Sequence, residues 1–209
     1  MLRALAIVAM ATAASTAGCL PAFSGPDGSR RIAVVGDSIV AGAKADLDAA
    51  LADTDRSVGG VSGIDLPAGT TLLVEPAVAA DVDVLVVELG INDAHDGWDP
   101  AVDEANLDRV LDLVDGVACT IWLLPDVLEP TALDHDHGQT TSLHARVGRL
   151  WAALDARAAA HPRLHLDRFG AEQRTHPEWY QPDGVHPNAA GSAALAVHVV
   201  EAIDEHCPT

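Results

Sequence analysis

Short apolar runs alternate along this chain with longer stretches whose apolar residues recur at helical spacing, and this alternation is what most constrains the fold. The predicted strands are residues 31–36, 56–58, 83–90, 117–125 and 164–167. The predicted helices are residues 39–52, 102–114, 142–160 and 189–205, with a helical or irregular segment ending at Val78. Strands joined by crossover helices pair in parallel and bury both faces of the sheet. We therefore predict an α/β fold, a single-domain three-layer αβα sandwich with a mainly parallel, flavodoxin-like sheet.

Length and charge limit the classes to which the chain can belong. Its 209 residues are enough for one domain with a full core, and 49% hydrophobic against 21% charged residues is a globular composition. Twelve basic against 31 acidic residues make a formal net charge of −19. Such a chain is repelled by a phosphate backbone and gains nothing from an anionic lipid surface, which disfavours nucleic acid as a partner. Aromatic residues make up only 3%, which argues against a long aromatic-lined polysaccharide cleft.

Residues 1–25 have the features of an export signal and linker. Arg3 precedes the apolar run 4–14, which is shorter than the roughly 20 residues needed to span a bilayer but suits a secretory signal. Residues 16–19 resemble a bacterial lipobox, in which the cysteine, here Cys19, carries the lipid. The alternative is an ordinary cleaved signal with an incidental cysteine. We expect an exported protein, secreted or held by lipid at the outer face of the cytoplasmic membrane, with its folded domain over residues 26–209.

The cysteine content agrees with export. With Cys19 lipidated or removed, Cys119 and Cys207 remain, an even number in a compartment where disulfides persist. Cys119 opens a predicted strand and Cys207 follows the last predicted helix, so a disulfide between them would fix that helix. The alternative is one buried and one exposed thiol. The cysteine spacing matches no zinc site.

Polar residues follow two predicted strands, at the edge where open parallel sheets bind ligands. Ser38 follows strand 31–36, so its hydroxyl and backbone N–H would lie at a helix N-terminus, which favours negative charge. Asn92 follows strand 83–90 and offers an uncharged amide donor. The alternatives are a helix cap at Ser38 or Asp37 and an Asx turn at Asn92. Glu88 is a carboxyl group in an apolar strand, and we expect it to accept structural hydrogen bonds or to lie at the solvated strand end.

A third polar segment precedes the last helix. Gly184 allows a tight turn that brings Asp183 to one imidazole nitrogen of His186 and leaves the other nitrogen facing outward. A general base needs such a carboxylate partner to fix its tautomer. The alternative is a capping turn with a surface histidine. The glycine-rich loop 57–65 adds backbone N–H groups that can closely approach a substrate.

Four motifs, in order along nearly the whole mature chain, resemble those of the SGNH/GDSL hydrolase family. They are GDSI at 36–39, GVSG at 60–63, GIND at 90–93 and DGVHPN at 183–188. This resemblance implies a serine ester hydrolase that works through an acyl-enzyme without a metal or other cofactor. Ile39 stands where the family commonly has leucine, and no asparagine precedes the second motif.

The resemblance also implies roles for individual residues. Ser38 would be the nucleophile, His186 the base and Asp183 its orienting partner. Gly63 and Asn92 would complete an oxyanion hole with the Ser38 backbone N–H, with Gly60 as the less favoured alternative to Gly63.

The substrate is less constrained. A compact member of the family without an inserted lid is expected to have an open groove that takes short acyl groups such as acetyl. Trp179 and Tyr180 would line the acyl or sugar side of this groove. The alternative for Trp179 is that it only packs against the loop. Residues 176–196 resemble the C-terminal domains of cell-wall O-acetyltransferases. We expect an exported monomer that hydrolyses a small ester or an acylated carbohydrate.

Several alternatives stay open. The chemical rivals are a cell-wall O-acetyltransferase and a lipase or lysophospholipase-type acyl hydrolase. A third rival is a surface binding module with an inactive triad. A metal site at residues 134–139, joined by His95 and Asp96, is disfavoured because exposed Asp/His loops are usually solvated.

Overall fold

The sheet of the computed structural model, which describes residues 20–128 and 142–209, has five parallel strands. They are β1 (Arg31–Gly36), β2 (Asp55–Gly60), β3 (Val84–Glu88), β4 (Cys119–Leu123) and β5 (Leu164–Asp167). Their order is β2-β1-β3-β4-β5, and every pair is parallel. The predicted α/β fold with a parallel, flavodoxin-like sheet is therefore confirmed.

The helices connect these strands. They are α1 (Ser38–Ala50), α2 (Leu66–Gly69), α3 (Glu75–Ala79), α4 (Ile91–Gly97), α5 (Pro100–Val114), α6 (Leu143–Ala158), α7 (Phe169–Gln173) and α8 (Ala189–His206). A π-helical turn, Thr70–Val74, joins α2 to α3. The short helices α4 and α7 were not predicted, because elements of seven and five residues contain too few apolar positions to show helical spacing.

Two apolar layers cover the faces of the sheet. Along β1, Ile32 and Val34 point into the layer formed with α1 and α8, whereas Ala33 and Val35 point into the layer formed with α3 and α5. Helix α6 contributes Val147 to the first layer and other residues to the second. Because both faces are covered, the central strands β1 and β3 have consecutive rather than alternating apolar residues, at 32–35 and 84–87.

The strand order creates a crevice at one edge of the sheet. The chain leaves β1 for β2 on one side and enters β3 on the other side, so connections at the carboxyl ends of β1 and β3 diverge. Open α/β sheets bind ligands in this crevice. Ser38 follows β1 and Asn92 follows β3, so both predicted site residues lie at the crevice.

Two features tie the chain ends to the sheet. A disulfide joins Cys119, at the start of β4, to Cys207, which ends α8, with 5.8 Å between their Cα atoms. At the other terminus, Ser24 pairs antiparallel with Arg56 of β2, and Leu20 packs against Gly59 near the carboxyl end of β2. The first described residue therefore lies toward the edge that carries the crevice.

Across the two described ranges, 20–128 and 142–209, no helix has both the length and the apolar character needed to cross a bilayer. The predicted signal segment up to Cys19 lies outside these ranges.

Candidate active site

Ser38 lies where β1 passes into α1. Asp37 caps the helix, and its carboxylate accepts a hydrogen bond from the backbone N–H of Ile39 at 2.9 Å. Gly36 is required before it, because a Cβ there would lie 2.6 Å from the backbone oxygen of Glu88. Ser38 is half-buried, and its backbone N–H donates to no acceptor in the part of the chain that the structure describes. The serine therefore presents a hydroxyl and an unpartnered N–H at the positive end of a helix dipole.

The loop before α8 brings His186 to Ser38. The Ser38 Oγ and His186 Nε2 atoms are 2.9 Å apart, and His186 Nδ1 lies 2.8 Å from Asp183 Oδ2. Gly184 adopts a φ of 72°, which glycine allows in the tight turn between the two side chains. Because an ionised carboxylate only accepts hydrogen bonds, Nδ1 carries the proton and the lone pair of Nε2 faces the serine hydroxyl.

Asp183 is held as an anion. The backbone N–H groups of Val185 and His186 donate to its Oδ1 at 2.9 and 3.0 Å. Partial burial opposes ionisation, but these two bonds and the bond from the His186 imidazole outweigh it, so the pKa of Asp183 is lowered below its ordinary value. At neutral pH an ionised Asp183 can therefore stabilise a positively charged His186.

Trp179 and Tyr180, the residues predicted to wall the substrate, support the loop 181–188. Tyr180 is buried, and its hydroxyl donates to the backbone oxygen of Asp126 at 3.2 Å. The Trp179 ring is half-buried and stacks on His176 with 4.0 Å between ring centroids. Both rings thus pack the base of the loop, and their contact with a substrate stays a prediction.

Gly63 and Gly60, the two candidates for a backbone oxyanion donor, have different surroundings. A Cβ on Gly60 would lie 2.2 Å from the backbone nitrogen of Ala41, so a glycine is required where β2 touches α1. Gly63 is exposed, has a φ of 73° and has nothing within 4 Å of the position a Cβ would take. Within the described ranges its N–H donates no hydrogen bond. These surroundings favour Gly63, since an oxyanion donor needs an accessible, unpartnered N–H.

The Asn92 amide links the three segments of the site. Its Nδ2 donates to Asp37 Oδ2 at 3.0 Å and to the backbone oxygen of Ile64 at 2.9 Å. An amide nitrogen carries two hydrogens, so both are engaged. Because Ile64 follows Gly63, these bonds hold the GVSG loop beside Ser38. An oxyanion would take the hydrogen that now points to Ile64, while the bond to Asp37 keeps the amide oriented.

Three buried carboxyl groups lie at or just after the carboxyl ends of β1 and β3. Asp37, Glu88 and Asp93 are 0%, 1% and 8% exposed. Burial raises the pKa of Asp37 to about 6 and that of Asp93 to about 7, and it raises the pKa of Glu88 well above its ordinary value. The sequence interpretation assigned Asp37 and Asp93 no functional role. Unlike Glu88, which lies within an apolar run, Asp37 and Asp93 follow such runs, and an acid this close to the end of a buried strand is the signal that could have indicated their burial.

Metal binding has no support in the described ranges, where no group of three or more His, Cys, Asp or Glu side chains is arranged to hold an ion. His95 Nδ1 lies 3.1 Å from Asp96 Oδ1. Residues 134–139, which sequence analysis considered as a metal cluster, and Cys19, the predicted lipid site, lie outside the described residues.

The chain is similar to known proteins over most of its length. The family model described as the GDSL-like lipase/acylhydrolase family matches residues 34–194, a range that contains all four of the motifs identified in the sequence. An arylesterase of Vibrio mimicus is 25% identical over 201 residues, which cover 90% of this chain and 94% of the relative.

Solved structures share the fold at low sequence identity. The C-terminal catalytic domain of peptidoglycan O-acetyltransferase A from Streptococcus pneumoniae superposes with a TM-score of 0.65 at 16% identity, over 85% of this chain and 94% of that domain. An acetylxylan esterase from Geobacillus stearothermophilus gives a TM-score of 0.62 at 19% identity, over 84% of this chain and 94% of the other.

Proposed function

Because the chain belongs to the GDSL-like lipase/acylhydrolase family, we propose that it is an exported serine esterase that hydrolyses short-chain, acetyl-type esters on cell-envelope carbohydrate. The observation that carries this proposal is a continuous series of hydrogen bonds. Ser38 Oγ is 2.9 Å from His186 Nε2, and His186 Nδ1 is 2.8 Å from Asp183 Oδ2. Nucleophile, base and orienting carboxylate are thus aligned as acyl transfer requires.

In the first step the Ser38 oxygen attacks the ester carbonyl carbon while His186 Nε2 takes the hydroxyl proton. The new C–O bond pushes the carbonyl electron pair onto oxygen and forms a tetrahedral oxyanion. When this intermediate collapses, the alcohol leaves with the proton from His186 and an acyl–Ser38 ester remains. Asp183 stays ionised throughout and stabilises the imidazolium.

The oxyanion meets three donors: the backbone N–H groups of Ser38 and Gly63, and Nδ2 of Asn92. One good donor in a comparable oxyanion hole contributes about 3–4 kcal/mol of transition-state stabilisation. In the second step, water attacks the acyl carbon and gives a proton to His186 Nε2. The acid is released and the returning proton regenerates the Ser38 hydroxyl.

The charges around Ser38 favour a neutral ester. Among the described residues, the side chains joined to Ser38 by this hydrogen-bond network are those of His186, Asp183, Asp37 and Asn92, with no lysine or arginine. A phosphate next to the ester would therefore be repelled, which disfavours a lysophospholipid as substrate. The likeness of the fold to an acetylxylan esterase and to a peptidoglycan O-acetyltransferase domain supports acetylated carbohydrate as the substrate class.

Labelling with a fluorophosphonate tests the nucleophile. We expect one adduct, on Ser38, and we expect Ser38→Ala to abolish both labelling and hydrolysis of a short-chain aryl acetate, with a fall in kcat of at least about 10⁴-fold. Ser29→Ala is the matched control, because Ser29 precedes β1, at the opposite end of that strand from Ser38, and within the described residues its hydroxyl bonds only the backbone oxygen of Pro26. Hydrolysis that persists in Ser38→Ala would refute the assignment.

A panel of esters that differ only in acyl length tests the substrate class. We expect kcat/KM to be highest for acetyl and to fall as the chain lengthens. A maximum at an acyl length of about eight carbons or more would favour the lipase alternative.

A cell-wall O-acetyltransferase is the nearest rival, because the same triad would pass the acyl group to a sugar hydroxyl if water were excluded. The likeness of the fold to the peptidoglycan O-acetyltransferase domain favours testing it. The rival predicts that acetyl appears on an added glycan acceptor. Hydrolysis alone across a range of acceptors would support the esterase.

Export and anchoring belong to the same proposal. Leu20 packs against Gly59 toward the edge of the sheet that carries Ser38, so a lipid on Cys19 would hold this edge near the membrane surface. Intact mass of protein extracted from membranes would carry the added lipid, and Cys19→Ser would release the protein into the medium. An unmodified, already soluble mature chain would contradict the anchor.

A further inference from the structure

Glu88 and Asp37 form a buried pair of carboxyl groups directly behind the candidate site. Glu88 ends β3 and Asp37 follows β1, so the parallel register sets them side by side. The backbone N–H of Asp37 lies 3.3 Å from Glu88 Oε2, and the two carboxyl groups are in hydrogen-bond contact. Gly36 makes the approach possible, because a Cβ there would lie 2.9 Å from Glu88 Oε2. The mechanism above does not use Glu88.

Two carboxyl groups in contact and away from water share one proton, because two adjacent buried negative charges repel each other strongly. The donors around the pair decide which group keeps it. Asp37 accepts from the Ile39 backbone N–H at 2.9 Å and from Asn92 Nδ2 at 3.0 Å, both oriented toward a carboxylate. Among the described residues Glu88 accepts only backbone N–H groups, that of Asp37 at 3.3 Å and more weakly that of Val40, and its Oε1 has no hydrogen-bond partner there. The negative charge therefore belongs on Asp37 and the proton on Glu88.

The pKa directions agree with this assignment. Burial raises the pKa of Glu88 well above its ordinary value, and the charge of Asp37 raises it further. Burial also raises the pKa of Asp37, but only to about 6, because hydrogen bonds from Ile39 and Glu88 oppose it. The other titratable side chains nearby are His186, which faces Asp37 from the loop before α8, and Asp93 on α4, which accepts the backbone N–H of Leu66.

We infer that Glu88 is a positioning residue of the site: its protonated carboxyl donates a hydrogen bond to Asp37, and the ionised Asp37 in turn holds the Asn92 amide in the orientation that an oxyanion needs. This inference rests on the proposed function, since it assigns Glu88 a part in stabilising the oxyanion. Asp37 is the only link in this relay that touches both Glu88 and Asn92 among the described residues.

The proton on Glu88 matters in two ways. It gives Asp37 a donor that replaces lost hydration, so the carboxylate stays ionised and bonds Asn92 strongly. It also limits the pair to one negative charge. A second charge so close to Ser38 would oppose the negative charge that develops on the substrate oxygen.

Two substitutions at Glu88 separate positioning from packing. Glu88→Gln keeps an N–H donor of similar shape without a titrating proton, whereas Glu88→Leu removes the donor. We expect Glu88→Gln to keep kcat within about threefold of the unaltered enzyme, and Glu88→Leu to lower kcat by about tenfold or more with little change in KM, because complete loss of one oxyanion donor costs about 10²–10³.

Val84→Ala is the matched control for stability. Val84 is a fully buried residue at the other end of β3, so its truncation lowers the melting temperature without reaching the site. We expect kcat of this variant to be unchanged. Equal kcat in Glu88→Leu and the unaltered enzyme, or an equal fall in Glu88→Gln and Glu88→Leu, would overturn the inference.

Infrared spectroscopy tests the proton directly and does not depend on activity or on the folding of Glu88→Leu. We expect the difference spectrum of the unaltered enzyme minus Glu88→Gln, at neutral pH, to contain the carbonyl stretch of a protonated carboxyl group. Its absence would mean that Glu88 is ionised and would overturn the inference. If the unaltered enzyme showed this band yet neither hydrolysed esters nor labelled at Ser38, the proposed esterase function would fail while the shared proton stood.

Discussion

Five histidines of the described chain contact an aspartate through one ring nitrogen, and in three of these contacts the aspartate side chain is no more than about one-third exposed. These three are His186–Asp183 at 2.8 Å, His144–Asp126 at 2.7 Å and His198–Asp167 at 2.7 Å. Burial does not distinguish the candidate catalytic pair, because the side chains of Asp126 and Asp167 are 2% and 9% exposed and that of Asp183 is 32% exposed. A short His–Asp contact is therefore not evidence of a catalytic base by itself.

The second ring nitrogen separates the three pairs. His144 Nε2 lies 2.9 Å from Arg174 Nη1, and because a guanidinium only donates, the lone pair of this nitrogen is already occupied. His198 Nδ1 lies 3.7 Å from Glu172, so carboxylates face both its nitrogens and favour a cation. Only His186 of the three directs a free lone pair at a hydroxyl, that of Ser38. Of these three His–Asp pairs, only His186–Asp183 therefore has the geometry that a general base requires.

The largest contrast is expected between His186 and His144. His186→Gln removes the base and should lower kcat by up to about 10⁶-fold, the loss seen when a serine hydrolase loses this residue. His144→Gln should leave kcat within about threefold, because the nitrogen it removes is bonded to Arg174 and not to a reacting group. Steady-state hydrolysis of an aryl acetate measures both. A comparable loss in His144→Gln would mean that the two pairs are not functionally distinct.

A smaller contrast is expected between the aspartates. Asp183→Asn should lower kcat by about 10⁴-fold, because an amide facing Nδ1 favours the tautomer in which Nε2 carries the proton and cannot accept that of Ser38. Asp167→Asn should lower the melting temperature and leave kcat unchanged, since Asp167 holds His198 and the backbone N–H of Phe169. Full activity of Asp183→Asn would contradict the proposed orientation of His186.

The smallest effect concerns His198 and pH. The hydrogen bond to Asp167 raises the pKa of His198 above its unfolded value, assisted by Glu172 and Glu201, although partial burial opposes this. A raised pKa means that protonated His198 stabilises the folded state below the unfolded pKa, and that this contribution is lost as pH rises through the folded pKa. Because His198 is partly exposed, we expect its contribution to the free energy of unfolding to be about 1 kcal/mol or less.

Unfolding by denaturant of the unaltered protein and of His198→Gln, measured from mildly acidic to alkaline pH, tests whether protonated His198 stabilises the folded state. The difference in the free energy of unfolding should be largest in mildly acidic solution and should shrink toward alkaline pH. A difference that grew with pH would mean that His198 stabilises the folded state in its neutral form, which would contradict the prediction.

Local patterns were enough to predict the strands and the long helices. The run 31–36 and strand β1 share the same bounds, because a strand buried on both faces needs consecutive apolar residues. β2 extends beyond its predicted bounds, since the two glycines at its carboxyl end have weak strand preference, and Gly60 is required there by contact with α1. Helix α4 was not predicted because its seven residues contain too few apolar positions to show helical spacing.

Within the site, the motifs were enough to nominate Ser38, Asn92, Asp183 and His186. They could not separate Gly60 from Gly63, because that distinction depends on which glycine packs against α1 and which faces open space. The motifs also give no information about which residues Glu88 contacts. Its neighbour Asp37 lies 51 positions away in the chain and is brought beside it only by the register of β1 with β3.

What the sequence determined by itself was the parallel sheet and the set of reactive side chains at its strand ends, because apolar periodicity and short motifs are local properties. Tertiary structure decided which histidine directs its lone pair at a hydroxyl, which glycine N–H is free and where the buried proton resides. Each of these depends on groups that are distant along the chain and come within about 3 Å only when the strands align, and hydrogen bonding acts over no longer range.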